Sequence, residues 1–429
     1  MSPEARLEPY PDSPRRPLEG IRALDLTTAV AGPVATLLLG ALGVEVLRVE
    51  TPWGRPRHPA SALPPSESAL DEPWNREPRL NELANSKRSL ALNLATEEGR
   101  AVFLDLVAVS DIVLENYSPR VMGNFNLEWD VLRERNPRLI YVSMPAFGKS
   151  GPWRDRISYG PGIDAMSGLS WLTGYADGAP LKPGNFYCDQ NAGLHAALAT
   201  IAALKACDRD GLGQTVELAM LEGELNLIGE AMVGQQLCGR EPTRIGNEHS
   251  SSAPHGVYPT HPQSDDSDTW IAIACRTDAE WRGLMRIWAD ECIRTDSRFS
   301  TGLKRWRHRI ELDRLLASWT CRHDASTLAE RLQHEGVPAS PVMGARTLLR
   351  DPQVAARRAV GGLEHPQVGL SPAPQAAYRL SESPAPPKSA APLFAVDTIP
   401  ILRELLGYSE ARIAELVTSG AASDRLRER

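Results

Sequence analysis

The feature that most constrains this chain is a stretch of about 30 residues, GIRALDLTTAVAGPVATLLLGALGVEVLRVE (20–50). GIRALDL reads as a strand, with Ile21, Ala23, Leu24 and Leu26 closed by Thr27 and Thr28. Gly32-Pro33 opens a helix, since proline costs no hydrogen bond in a first turn. VATLLLGALG (34–43) is small and apolar nearly all round, so that helix is buried. VEVLRVE (44–50) is a second strand, with Val44, Val46 and Val49 among polar residues. A strand–helix–strand crossover of this length pairs its strands in parallel, and a parallel sheet needs helices on its faces.

The pattern continues downstream. SLALNL (89–94) is extended, and TEEGRAVFLDLVAVS (96–110) is an amphipathic helix with acids in its first turn, as the helix dipole favours. DIVLENY (111–117) is a strand, LEWDVLRERN (127–136) a helix, and LIYVSMPAFG (139–148) a strand with a glycine turn. These units predict an open, doubly wound parallel sheet, a Rossmann-like α/β domain over residues 18–205. Ligands bind such sheets outside the carboxyl ends of the strands, where residues 27–33, Asn116-Tyr117 and Phe147-Gly148 fall.

Beyond it, Leu194, Ala197, Leu198, Ile201 and Leu204 recur at helical spacing until the glycines of DRDGLGQ (208–214) stop the helix. TVELAM (215–220) is a strand, and a further helix follows to about residue 236. The stretch 206–238 is therefore expected to link the large domain to a smaller α+β domain at 239–334. Within that smaller domain, 239–261 is loop-like, TWIAIAC (269–275) is a strand, and Trp281, Leu284 and Trp288 mark a helix. GVPASPV (336–342) is an extended linker and Ser371 to Pro387 is irregular, so 335–429 returns to the large domain and ends in two helices.

Composition excludes several classes. A net charge of −7 is not that of a nucleic-acid binder. The opening MSPEARLEPYPDSPRRP has no apolar core of a signal peptide. The uncharged run from Leu26 to Val44 is broken by Pro33 and barely reaches the roughly 20 residues a bilayer needs, so no membrane partner is expected. Six scattered cysteines, none in a CxxC pair or at metal-ligand spacing with histidine, fit a reduced cytoplasmic protein with buried thiols and no metal.

Motifs for nucleotide and hydrolytic chemistry are missing: there is no GxGxxG, no GxxxxGK[ST] and no GxSxG. GNEHSSSAPHG (246–256) places serines beside His249 and His255, but closeness in sequence predicts no triad. His249, His255 and His261 lack an acid at ligand spacing, so a loop is favoured over a metal site. In NFYCDQNAGLHAAL (185–198), Asp189 stands where a helix N-cap belongs. A carboxylate there stays ionised, and with one oxygen free it can act as a nucleophile. His195 follows six residues later, roughly 600° around the helix, so it does not share a face with Asp189 and reads as a buried, hydrogen-bonded side chain.

Eight stretches in order give a resemblance. They are LEGIRALDLTTAVAGPVATLLLGALGVEVLRVETP, NSKRSLALNL, DIVLENYSPRVM, NPRLIYVSMPAFGKSGPWRDR, SGLSWLTGYADGAP, YCDQNAGLHAALATIAAL, GLGQTVELAMLEG and GVPASPV. Together they resemble the family III (class III) CoA-transferases, a group that includes carnitine and formyl-CoA transferase-like proteins and the related 2-methylacyl-CoA racemases. The likeness spans about residues 18–420.

The resemblance implies an aspartate nucleophile at Asp189. An acyl-CoA donor, with succinyl-CoA the leading choice, would give an aspartyl anhydride and then an aspartyl-CoA thioester, with coenzyme A present as substrate and not as a bound cofactor. Coenzyme A contacts carried over by motif are Val30, Ala31, Leu92, Asn93, Asn116, Tyr117, Arg120 and Phe147, with Lys87, Arg88 and Lys149 as further phosphate partners. It also implies two interlocked chains, here a homodimer. Where the oxalate-specific members carry a glycine run, this chain has EHSSSAPHG, which points to an acceptor acid larger than oxalate, aromatic or branched. Pro145 replaces a lysine of some members, and Tyr159 stands nearest to the racemases' histidine base. Acyl-CoA isomerisation, or an inactive coenzyme A-binding subunit of a heteromer, are the alternatives.

Overall fold

The computed structural model describes residues 16–53, 73–261, 269–383 and 386–427. The opening charged segment and much of the proline-rich stretch before position 80 lie outside the described residues. The described chain divides into two compact units. One holds the residues up to Ser170, Lys182–Arg240 and those from Pro352 on; the other holds Trp171–Leu181 and Glu241–Asp351.

The first unit is built on a seven-stranded sheet of β1 (Arg22–Asp25), β2 (Glu45–Glu50), β3 (Lys87–Leu92), β4 (Ile112–Glu115), β5 (Ile140–Ser143), β6 (Gln214–Glu217) and a short β12 (Ala422–Ser423). Their order is β12-β3-β2-β1-β4-β5-β6, and every pair is parallel except β12 with β3. This is the doubly wound order 3-2-1-4-5-6, whose direction of winding reverses between β1 and β4.

Alternation along the strands explains the three layers. Ala23, Val46, Ile112, Leu114, Ile140 and Val142 face the Ala31–Ala41 and Tyr187–Asp210 helices. Leu24, Leu47, Leu90, Val113 and Tyr141 face the Glu97–Ala108, Thr398–Glu404 and Glu410–Ser419 helices. Successive side chains on a strand point to opposite faces, so both faces must be apolar when both are covered. Gly193 lets the two helices of the first layer meet closely: a Cβ there would lie 2.6 Å from Val34 Cγ1 and 2.8 Å from the Ala31 carbonyl.

The second unit has a three-stranded antiparallel sheet, β7 (His255–Pro259), β8 (Trp270–Ala274) and β9 (Ala339–Pro341), in that order. Helices Asp278–Trp288, Arg309–Thr320 and Ala325–His334 supply Leu284, Leu312, Leu316 and Leu332 to its core. Arg305 is buried there, its guanidinium over the Trp281 ring and donating to Asp278 at 2.7 Å.

Several sequence expectations change. Residues 214–217 pair with β5 inside the large sheet, so 206–238 is not a linker. Part of the 239–261 stretch is β7, and GVPASPV carries β9, because each finds a neighbouring edge to pair with. Gly369–Pro374 (β11), which runs into the stretch expected to be irregular, pairs with Val360–His365 (β10). All six cysteines are free, but Cys238, Cys292 and Cys321 are exposed, not buried. Among the described residues no helix is long and apolar enough to cross a membrane.

Candidate active site

Asp189 is not the cap of its helix. The Tyr187–Asp210 helix is preceded by Phe186, and Asp189 sits at its third position, in the first turn. The unpaired N–H groups of a first turn and the helix dipole both favour an anion there. The backbone N–H of Ala31, the first residue of the neighbouring buried helix, also favours the charged carboxylate. Two helix starts thus converge on one side chain. Burial pushes the Asp189 carboxyl up to about 6 and Asp164 adds to the rise, while the Ala31 and Asp189 backbone N–H groups and Arg79 oppose it.

Space around the carboxylate is kept by a glycine. A Cβ on Gly160, the first residue of the Gly160–Ser167 helix, would lie 2.0 Å from Asp189 Oδ2. Asp189 is 7% exposed, so bulk water is largely kept from it. Around it lie Asp164, whose charge the Cys188 backbone N–H favours against burial, and Glu224 on the Met220–Leu227 helix. Asn191 Nδ2 donates to the Gly223 carbonyl at 2.7 Å and ties that helix to the one that carries Asp189.

The strand ends beside β1 hold a cavity of about 210 Å³, lined by Thr27, Thr28, Arg48, Leu92, Asn93 and Tyr117 among others. It lies at the carboxyl ends of β1, β2 and β3, with Tyr117 reaching it from the end of β4, beside the point where the winding reverses. Of the residues expected to contact coenzyme A, Leu92, Asn93 and Tyr117 line this cavity. Ala31 touches Asp189 instead, and Val30 is buried beside it. Asn116 braces the loop: its Oδ1 accepts from the Thr28 N–H and its Nδ2 donates to the Thr28 carbonyl, both at 2.8 Å.

Other expected contacts stand elsewhere. Phe147 packs edge-on against Trp153, and the exposed Arg120 lies 3.6 Å from Asp155. Lys149 sits over the Tyr141 ring. Arg88 is held by Glu45, Asp397 and Glu404. Lys87 is the clearest correction. It is buried, and its ammonium donates to Asp25 at 3.0 Å, Thr36 Oγ1 at 2.7 Å and the Pro33 carbonyl at 3.2 Å, leaving none of its three protons for a phosphate. Burial works against the Asp25 charge, but Lys87 and the Thr27 and Thr36 hydroxyls outweigh it and hold the carboxyl low. His195 is half-buried and makes no hydrogen bond among the described residues, against the expectation of a satisfied core histidine.

Sequence reasoning missed Gly160, Asp164, Glu224 and Arg48. Arg48 carried a weak signal, as the one cation in VEVLRVE at a strand's carboxyl end. The other three come together only through the fold.

Comparison with known proteins agrees with this geometry. The model of "CoA-transferase family III" matches residues 18–398. A Chloroflexus aurantiacus protein named succinyl-CoA--D-citramalate CoA-transferase is 33% identical over 411 residues, covering 94% of this chain and 97% of that one. An Agrobacterium fabrum succinate--glutarate CoA-transferase is 31% identical, covering 92% and 97%. The crystal structure of a CAIB/BAIF family protein from Brucella suis superposes with a TM-score of 0.81 at 28% identity, covering 91% of this chain and 99% of that one. This chain belongs to CoA-transferase family III and is a CoA-transferase.

Proposed function

We propose that this enzyme moves coenzyme A from succinyl-CoA to a short aliphatic dicarboxylic acid through an aspartyl-CoA thioester at Asp189. The observation that carries the reading is the buried Asp189 carboxylate at two converging helix starts, with Gly160 keeping its face clear. The donor and acceptor class rest on the relatives' names, since two of them act between succinyl-CoA or succinate and citramalate or glutarate.

In the first step an Asp189 oxygen attacks the thioester carbonyl; the C–S bond breaks and coenzyme A leaves as thiolate, giving a succinyl–aspartyl anhydride. The thiolate then attacks the aspartyl carbonyl, succinate leaves as carboxylate, and the aspartyl-CoA thioester remains. The acceptor carboxylate repeats both steps in reverse. Each attack builds an oxyanion, and orphan N–H groups at a helix start suit that charge. Burial of Asp189 limits hydrolysis of the anhydride.

The 210 Å³ cavity is the place for part of coenzyme A, with Leu92, Asn93 and Tyr117 on its wall and Arg48, 3.4 Å from Glu50, as the cation there. A homodimer belongs to the same reading. Leu194 and Leu198, one turn apart on the long helix, are 56% and 65% exposed, and a second chain would cover such a face.

The test is a panel of acceptor acids with labelled succinyl-CoA. Label appearing in the CoA ester of a dicarboxylate supports the reading. Deuterium entering the donor's α-carbon with no acceptor present would favour isomerisation instead. Gly160→Ala probes the same geometry: its methyl must displace the Asp189 carboxylate, and kcat is expected to fall about 100-fold with the fold retained by circular dichroism.

A further inference from the structure

Behind Asp189 lies a group that the transfer chemistry above leaves unused. One oxygen of Asp164, the Cys188 sulfur and one oxygen of Glu224 lie within 4.8 Å of one another, and all three residues are buried. Both Glu224 carboxyl oxygens and Asp164 Oδ1 are buried without a hydrogen-bond partner. The Ser167 hydroxyl lies near Glu224, but its proton goes to the Asp164 carbonyl at 3.1 Å. Lys182 faces Asp164 and Arg79 faces Asp189; Asn191 and His195 flank Gly223, next to Glu224 on its helix. No ion pair to Glu224 is present among the described residues.

Two carboxylates this close and buried, with no ion pair to Glu224 among the described residues, resist being charged together. We propose that Glu224 is a positioning residue that is held protonated behind the nucleophile, leaving Asp164 as the charged partner, and that ionisation of Glu224 shuts the transferase down. A protonated Glu224 can donate toward the unpartnered Asp164 oxygen and keep the Met220–Leu227 helix seated. Ionised, it puts a second negative charge behind Asp189, where an anionic acceptor must approach and an oxyanion must form. Burial, reinforced by Asp164, pushes the Glu224 carboxyl up to about 7, close above Asp189 at about 6. The enzyme would then work in a narrow window, opened by ionisation of Asp189 and closed by that of Glu224.

The inference rests on Asp189 being the nucleophile, so Asp189→Asn is assayed in parallel; turnover in that variant sinks the nucleophile reading and this inference with it, whereas the Glu224→Gln result below bears on this inference alone. The test is the pH dependence of kcat and kcat/KM in the full chain and in Glu224→Gln. Glutamine copies the protonated acid in shape and in its donor. The wild type is expected to lose activity on the alkaline side, by about 10-fold for each pH unit above 7 if only the protonated form works. Glu224→Gln is expected to hold its plateau there, with its acid limb still present. An alkaline fall that persists in Glu224→Gln overturns the proposal. As a readout that needs no activity, the infrared spectrum at neutral pH should show a protonated-carboxyl band that disappears in Glu224→Gln. Its absence from the wild type, or one zinc per chain in the purified protein, overturns the proposal as well.

Discussion

Asp189→Asn is expected to lower transfer by about 10,000-fold or more, because an amide cannot form the anhydride. The same substitution is expected to make the protein more stable at neutral pH. Burial raises the carboxyl from an ordinary 3.8 to about 6. The folded state therefore binds that proton more tightly than the unfolded chain does. Stability from this group is complete below the unfolded value and is lost as pH rises through the window up to about 6. Above it the wild type carries the whole cost of a buried charge, about 3 kcal/mol for a shift of this size. Asparagine escapes it. A melting temperature several degrees higher than wild type at pH 8, equal or nearly equal at pH 4, and coenzyme A binding retained would fit a strained nucleophile. Lost turnover with a lower melting temperature at both pH values would mark Asp189 as a structural residue.

The second large effect is Lys87→Met. Lys87 and Asp25 are each 1% exposed at the side chain, and the Lys87 ammonium bridges Asp25 and Thr36 under the start of the Ala31–Ala41 helix. Removing one member of a buried pair leaves the other charge uncompensated, at about 3–5 kcal/mol. Asp25 then behaves as a buried acid. Its carboxyl, low in the wild type because of Lys87, rises in the variant, so the stability it contributes above its unfolded value disappears at neutral pH. Urea and thermal unfolding are expected to show the loss, and the double variant Asp25→Asn with Lys87→Met to recover part of it. If Lys87→Met instead left stability unchanged and weakened coenzyme A binding alone, the lysine would be a phosphate partner after all.

That contrast shows which parts of the fold were legible. The parallel sheet could be read because each buried strand alternates two apolar faces, as Ala23 with Leu24 and Val46 with Leu47 do. Its carboxyl ends, and with them Thr28 and Tyr117, followed from the switch-point rule, whereas Asn93 came only from the family resemblance. Pairing partners could not be read, since an edge strand such as β9 has no local signature: Ala339–Pro341 looks like a linker until β8 lies beside it. Charged side chains were least legible of all. Lys87 and Arg88 are neighbours in sequence on one strand, so they point to opposite faces; one goes into the buried layer beside Asp25 and the other meets Glu45, Asp397 and Glu404. Asp164 and Glu224 are 60 residues apart in the chain, and nothing in either local pattern announces that they meet behind Asp189.

The covalent step at Asp189 is tested most directly by trapping. The enzyme is incubated with succinyl-CoA and no acceptor, treated with hydroxylamine, digested, and examined by mass spectrometry across residues 187–205. A hydroxamate on Asp189, formed only with donor present and absent from Asp189→Asn, is the expected result. An unmodified Asp189 in an enzyme that turns over normally would contradict the aspartyl-CoA mechanism.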